Sequence, residues 1–427
     1  MLAASPRLVR SSLAKLRDFP QVLYLGSYPP RECGIATFTR DVKAALDDRA
    51  GTRGHVMAVN ELGENHAYAS DVIGAIERDD PDSYLHAARV INAHPADVVN
   101  VQHEYGLFGG ERGAHLLELL SRLTKPAVTT LHTVLPQPDA VLRRVTRELC
   151  NHSSAVVVMS YTARHTLAHH YGVDPRKICV IMHGVPDVPL RSSRHFKRRL
   201  GLPGKTIIST FGLIGPDKGI EYLIEALPAI FARHPNAVYV MLGETHPGIR
   251  RHSGEAYRDS LAQRVHELGI GDRVFFENRY LADEEIVSAL LATDVYVSPS
   301  LDPNQAVSGT LSYAVAAGRV VVATSTAYAR ELLAEGRGMV VPLRDSEALV
   351  DAIDAVLDDS DVRRAIEVAA YRFGRRMIWR NVAREYEHAL DHGRRLDERH
   401  VVRSFGRPTV LLAPARPARE PITIGNS

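Results

Sequence analysis

From Gln21 onward, short apolar runs alternate with stretches whose apolar residues recur every three or four positions. Gln21–Gly26 precedes Ile35–Asp48, Asp97–Gln102 precedes Glu111–Leu123, Ala127–His132 precedes Pro138–Leu149, and Ser154–Ser160 precedes Tyr161–Gly172. The runs are apolar on successive positions, which predicts strands buried on both faces, each followed by a helix that covers the sheet. Repeated in this order, they predict right-handed βαβ units and a parallel, doubly wound sheet. The pattern pauses near Lys177–Val185 and restarts at Thr206–Gly212. It continues through Ala237–Gly243, Arg273–Glu277, Asp294–Ser300, Arg319–Ser325 and Gly338–Pro342, with a helical stretch after each. Asp283 and Ser346 are expected as helix N-caps.

The fold class expected is therefore α/β, with two Rossmann-like doubly wound domains facing a central cleft. Residues 21–185 form the first and 206–375 the second. A Pro-, Arg- and Ser-rich linker, 186–205, carries a short basic helix. A C-terminal helix, 376–391, is expected to return to the first domain, and 392–427 reads as a tail without its own core. Residues 1–20 read first as a frayed extension, and alternatively as a basic amphipathic helix touching anionic lipid at the inner membrane face.

Composition narrows the function by exclusion. The net charge of +2 gives no general reason to expect nucleic acid as a partner. Cys33, Cys150 and Cys179 lie far apart, without the spacing of a zinc site or a disulfide scaffold. No apolar run approaches the roughly 20 residues of a membrane span, so a cytoplasmic protein is the default expectation.

The candidate chemistry sits where strands meet helices. Phe211–Leu227 (FGLIGPDKGIEYLIEAL) and Ser298–Ser325 each run from a strand through a Gly/Pro loop into a helix, so helix-start amides and Lys218 are offered to an anion. This is not a nucleoside-triphosphatase loop, because Lys218 is followed by Gly219 where that motif needs Ser or Thr, and no Gly-x-Gly-x-x-Gly follows a strand. His132 ends a strand, and His103 and Glu104 occupy the equivalent place after Asp97–Gln102. The His-Glu pair lacks the second histidine of a zinc motif, so no metal is expected. Glu32, Asp41 and Glu104 are the acidic candidates to accept a proton.

Taken together, Tyr28–Val42 (YPPRECGIATFTRDV), Thr129–Val134 (TTLHTV), the Lys218 segment, Asn304–Ser325 and Ala327–Leu333 resemble the retaining nucleotide-sugar glycosyltransferases of family 4, which have the GT-B fold. The resemblance spans about residues 21–390. It implies that Gly34 lets the backbone approach the donor phosphate, that His132 lies near the donor sugar, and that Lys218 binds the diphosphate. It further implies a nucleotide-sugar loop and helix through Gln305, Ser308, Gly309, Thr310, Leu311 and Tyr313, with Glu331 at a donor-side acidic position. Glu32, His103 and Glu104 would face the acceptor.

The segments depart from the family at three positions. Leu213 stands where the family has an arginine beside the glycine, and its Glu-x7-Glu pair becomes Gln305 and Tyr313. Gln305 keeps an acceptor oxygen without the charge, whereas a phenol cannot accept from both hydroxyls of a diol. Arg31, Arg319 and Arg330 are candidates to replace the missing cation. The activity implied is retaining transfer of a hexose, mannose or glucose, from GDP-mannose or UDP-glucose to a saccharide or glycolipid, with no cofactor beyond that substrate. A nucleotide-sugar-binding protein without turnover is the competing class, and an epimerase or phosphorylase on the same fold is a third.

Overall fold

A computed structural model describes residues 19–61 and 63–405, with side chains described through Asp397. The expectation for residues 1–18 and for the last part of the tail, 406–427, lies outside the described residues. No described helix is long and apolar enough to cross a membrane.

The first sheet contains β1 (Val22–Gly26), β2 (His55–Asn60), β3 (Val72–Glu77), β4 (Val98–His103), β5 (Ala127–Leu131), β6 (Ala155–Val158) and β7 (Ile178–Val180), in the order β3-β2-β1-β4-β5-β6-β7. The second contains β8 (Thr206–Phe211), β9 (Ala237–Leu242), β10 (Val274–Glu277), β11 (Val295–Ser298), β12 (Val320–Thr324) and β13 (Met339–Val341), ordered β10-β9-β8-β11-β12-β13. Every pairing between neighbouring strands is parallel. Every residue of β1, β4, β5, β6 and β9 is buried, which accounts for their largely apolar character, the polar Asn100, Gln102, His103, Thr129 and Thr130 of β4 and β5 excepted. β2, β3 and the helix Pro81–Ala93 were not singled out by the alternation. β3 is an edge strand, only partly buried and interrupted by Gly74, and its pattern is correspondingly weak.

In each sheet the strand order reverses once, between β1 and β4 and between β8 and β11. Such switch points open crevices beyond the strand C-termini, where ligands of doubly wound folds bind. The two crevices face each other. The chain passes between the domains twice, and the two passages lie side by side. Val185 pairs with Ile378, its N–H donating to the Met377 carbonyl at 2.9 Å and its carbonyl accepting from the Trp379 N–H at 3.0 Å.

The helix Trp379–Phe405 then packs back on the first domain, where Val382, Ala383, Tyr386, Ala389 and Leu390 join the core with Val128 and Val157. It runs past 391, where a coreless tail was expected to start. Gly393 lies so close to β5 that a Cβ would stand 2.7 Å from Val128 Cγ2, and Arg395 pairs with Asp391 one turn back. Two N-cap expectations shift by one residue. Ala282 and Asp345 cap the helices, the Asp345 carboxylate accepting from the Ala348 N–H at 2.9 Å. Asp283 and Ser346 are the first helical residues, Asp283 paired with Arg40 and Ser346 donating to the Tyr222 carbonyl at 2.8 Å.

Candidate functional site

A cleft of about 450 Å³ lies between the switch points. Gly34, His132, Lys218, Gln305, Ser308, Gly309, Thr310, Tyr313 and Glu104 all line it, although they come from five separate stretches of chain. Two helices open on it, Gly34–Ala50 from the first domain and Gly309–Ala316 from the second. Nothing lies within 4 Å of where a Cβ on Gly34 would stand, so the backbone there is open to a ligand.

The second-domain wall is built by close backbone approach. Gly212 has φ +131°, and a Cβ on it would stand 3.0 Å from Thr310 Cγ2, so the loop after β8 meets the helix start after β11. Lys218 ends a single 3-10 turn, Pro216–Lys218, and Gly219 with φ +61° redirects the chain into the helix Ile220–Arg233. Among the described residues, the ammonium's hydrogen-bonded partner is its neighbour Asp217, at 2.7 Å. Lys218 is the lone lysine or arginine among the described cleft-lining residues. Ser308 caps the Gly309 helix, its hydroxyl accepting from the Leu311 N–H at 3.3 Å. Leu311 is thereby removed from the expected donor contacts, since its amide is used in the cap and its side chain is core. The amides of Gly309 and Thr310 have no described protein partner and remain available to an anion.

On the first-domain wall, His132 Nε2 meets Gln102 Oε1 at 2.9 Å. As oriented here, the Gln102 amide nitrogen donates to Asn100 Oδ1 at 2.6 Å and to Thr130 Oγ1 at 3.4 Å. His132 therefore donates through Nε2 and keeps a lone pair on Nδ1. Burial, with His183 and His103 nearby, lowers its pKa to about 3, so it stays neutral. Phe38 supports it edge-on at 4.8 Å and holds His183 at 5.0 Å. Glu104 accepts from Thr133 Oγ1 at 2.6 Å and from the Tyr105 N–H at 2.9 Å, while burial pushes its carboxyl upward.

Several expected contacts do not reach the cleft. His103 alternates to the opposite face of β4 from Gln102 and stacks on Phe108 at 5.8 Å, fully buried. Glu32 is exposed and outside the lining. Glu331 grips the first-domain helix Tyr161–Tyr171 instead of a donor. None of the three arginines offered as replacements faces the cleft. Arg31 pairs with Glu61, Arg319 donates to the carbonyls of Ala317 and Thr293, and Arg330 donates to that of Ser325. Leu213 does line it, leaving that wall without a second cation.

His183, Phe38, Glu244, Tyr280 and Asp283 line the cleft and were missed. His183 had a readable signal, since it closes the apolar run Ile178–Met182 just as His132 closes β5. Its Nε2 stands 3.0 Å from where a Cβ on Gly309 would be, so a side chain at 309 would press tightly on the opposite domain. Among the described residues no three His, Cys, Asp or Glu side chains are grouped to hold a metal.

Arg40 bridges the cleft by pairing with Asp41 on its own helix, at 2.7 Å, and with Asp283 opposite. Burial raises Asp41 to about 6; Arg40 opposes that shift and Asp283 adds to it. The folded state thus holds a proton that the unfolded chain, with an ordinary Asp near 3.9, has released. Its contribution is complete below about pH 4 and is lost as pH rises through about 6. Urea melts at pH 4.5 and 6.5 are expected to show wild type losing more stability over that interval than Asp41→Asn; equal losses would refute the assignment.

Residues 34–187 match the family model described as Glycosyltransferase Family 4, and residues 192–373 the one described as Glycosyl transferases group 1. The chain is similar to a D-inositol 3-phosphate glycosyltransferase of Corynebacterium glutamicum, 28% identical over 65% of this chain and 68% of the relative. It is also similar to a GDP-mannose-dependent alpha-(1-6)-phosphatidylinositol monomannoside mannosyltransferase of Mycobacterium tuberculosis, 27% identical over 82% and 91%. Among solved structures, Anabaena HepE in complex with UDP and glucose superposes with a TM-score of 0.70 at 18% identity, covering 87% of this chain and 99% of that one.

Proposed function

The chain is a glycosyltransferase of the family-4 type, with the GT-B fold, and from that premise we propose that it moves a hexose, mannose or glucose, from a nucleotide sugar to a saccharide or glycolipid hydroxyl with retention. The observation that carries this reading is the convergence of Lys218 with the unpartnered amides of Gly309 and Thr310 on one wall, opposite the open backbone at Gly34. A departing nucleoside diphosphate is the charge those groups suit, and a donor aimed at developing charge in such a site contributes about 3 kcal/mol. The bond from the anomeric carbon to the diphosphate oxygen breaks, and the acceptor hydroxyl attacks from the same face. Its proton passes to the leaving phosphate oxygen. His132, neutral and fixed by Gln102, offers Nδ1 to a hydroxyl of the donor sugar, and Gln305 offers its amide from the second domain.

The relatives' names point to GDP-mannose in one case and to UDP with glucose in another, so the donor base is the first thing to measure. A ligand that binds only the folded state raises Tm by mass action. Thermal shifts are expected with one of GDP-mannose and UDP-glucose and not the other, followed by sugar transfer from that donor. In Gln305→Glu a carboxylate would face a diphosphate on a wall with one cation, and like-charge repulsion should weaken donor binding about ten-fold and slow transfer. An inactive wild type, together with a Gln305→Glu variant that binds donor more tightly, would replace the transferase with a nucleotide-sugar-binding protein.

A further inference from the structure

Glu331 belongs to the second domain, but its carboxylate completes the cap of a first-domain helix. Ser160 accepts from the Ala163 N–H at 3.1 Å, which leaves the first two amides of the helix Tyr161–Tyr171 unserved by their own domain. Glu331 Oε1 accepts from the Tyr161 N–H at 2.8 Å, and Oε2 accepts from the Thr162 N–H at 2.9 Å and the Thr162 hydroxyl at 2.8 Å. The two oxygens thus take consecutive amides, a paired geometry that sets direction as well as attraction. A negative charge at a helix N-terminus adds to the pairing. Ser160 ties the same corner a second time by donating to the Ala306 carbonyl at 3.3 Å.

On the second-domain side, the grip leads straight to the cleft. Glu331 lies on the helix Ala327–Leu332, whose Ala327 and Tyr328 N–H groups donate to the carbonyls of Pro303 and Gln305 at 2.9 and 3.0 Å. The Asn304–Ser308 loop is thereby held to the helix that holds the first domain. We propose that Glu331 is a positioning residue: it sets the angle between the domains at the Gln305 loop, and so the placement of Gln305 against His132, without touching the substrate. The idea rests on the transferase reading above. It differs from a donor contact in what its loss should do, because misplacing a reacting group by about 1 Å can cost 100-fold in rate while ligand contacts within one domain persist.

The test compares Glu331→Ala, Glu331→Gln and Glu331→Asp with wild type, measuring kcat, donor Kd by calorimetry, and the spread of distances between one spin label on each domain. In Glu331→Ala, kcat is expected to fall about ten-fold or more with donor Kd within about two-fold of wild type, and the distance distribution to broaden. Glu331→Gln, which keeps an acceptor oxygen at the same reach, should recover part of both. Glu331→Asp keeps the charge on a shorter stem, and should behave like alanine. A ten-fold weaker donor Kd in Glu331→Ala would make the residue a donor contact and overturn the proposal, as would unchanged kcat with an unchanged distance distribution. If wild type transfers no sugar, the transferase reading fails by itself. The distance distributions then decide the clasp: unaltered spread in Glu331→Ala overturns it, and broadening restored by Gln supports it.

Discussion

Lys218→Ala is expected to lower sugar transfer by roughly 100-fold or more, with almost no change in stability. The size follows from the second-domain wall. Lys218 is the one lysine or arginine among its described lining residues, Leu213 supplies none, and Arg40 nearby is engaged by Asp41 and Asp283, so no second cation on that wall shares the charge of the departing diphosphate. A loss of about 3 kcal/mol of transition-state stabilisation corresponds to that factor. Stability should hold because the side chain is part exposed and its partner is the adjacent Asp217, a contact of the kind worth under about 1 kcal/mol. Rates at saturating donor for wild type and Lys218→Ala decide the matter; equal rates would reduce Lys218 to a surface residue. Lys218→Arg keeps the charge and should retain more activity than alanine.

The largest effect on stability is expected one residue later. Gly219 has φ +61°, and a Cβ there would stand 2.3 Å from the Pro299 carbonyl oxygen and 2.7 Å from Leu301 Cδ2. The carbonyl is backbone and cannot rotate away. Gly219→Val therefore combines the strain of a β-branched residue in the left-handed region with a collision in a packed turn, together about 3 to 5 kcal/mol. Calorimetry should show the second domain's transition lowered by about 6 to 20 °C, at about 2 to 4 °C for each kcal/mol in a domain of this size. Gly51→Val is the control. Gly51 has φ +65° with nothing within 4 Å, so it bears the strain without the collision. If the two variants lose the same stability, the close approach of Gly219 to Pro299 is wrong.

The alternation of buried strands and helices was legible because strands covered on both faces must be continuously apolar, and that signal is local. It faded at β3, where partial burial and Gly74 weaken the run. Residues at strand ends, such as His132, could be assigned to the cleft because a doubly wound sheet brings those ends together. Side-chain direction was not legible. His103 and Gln102 are adjacent, yet one residue of register decides that Gln102 reaches His132 while His103 enters the core against Phe108. Asp283 and Tyr280 were missed for another reason. They gain their place only when the second domain meets Arg40 and Thr37 of the first, and no short window of sequence encodes that meeting. Glu331 shows the same limit, since its partners lie 169 and 170 residues away.

The side-by-side passages at Val185 and Ile378 mean that the first domain is not a continuous piece of chain. Its sheet is complete once β7 has been made, but Val128 and Val157 still lack the cover that Val382, Tyr386 and Leu390 bring on the last helix. During synthesis the entire second domain must leave the ribosome before that cover arrives. The first domain to be made is therefore the last to be closed, and its unfinished face is the part of the nascent protein that most needs shielding from other chains.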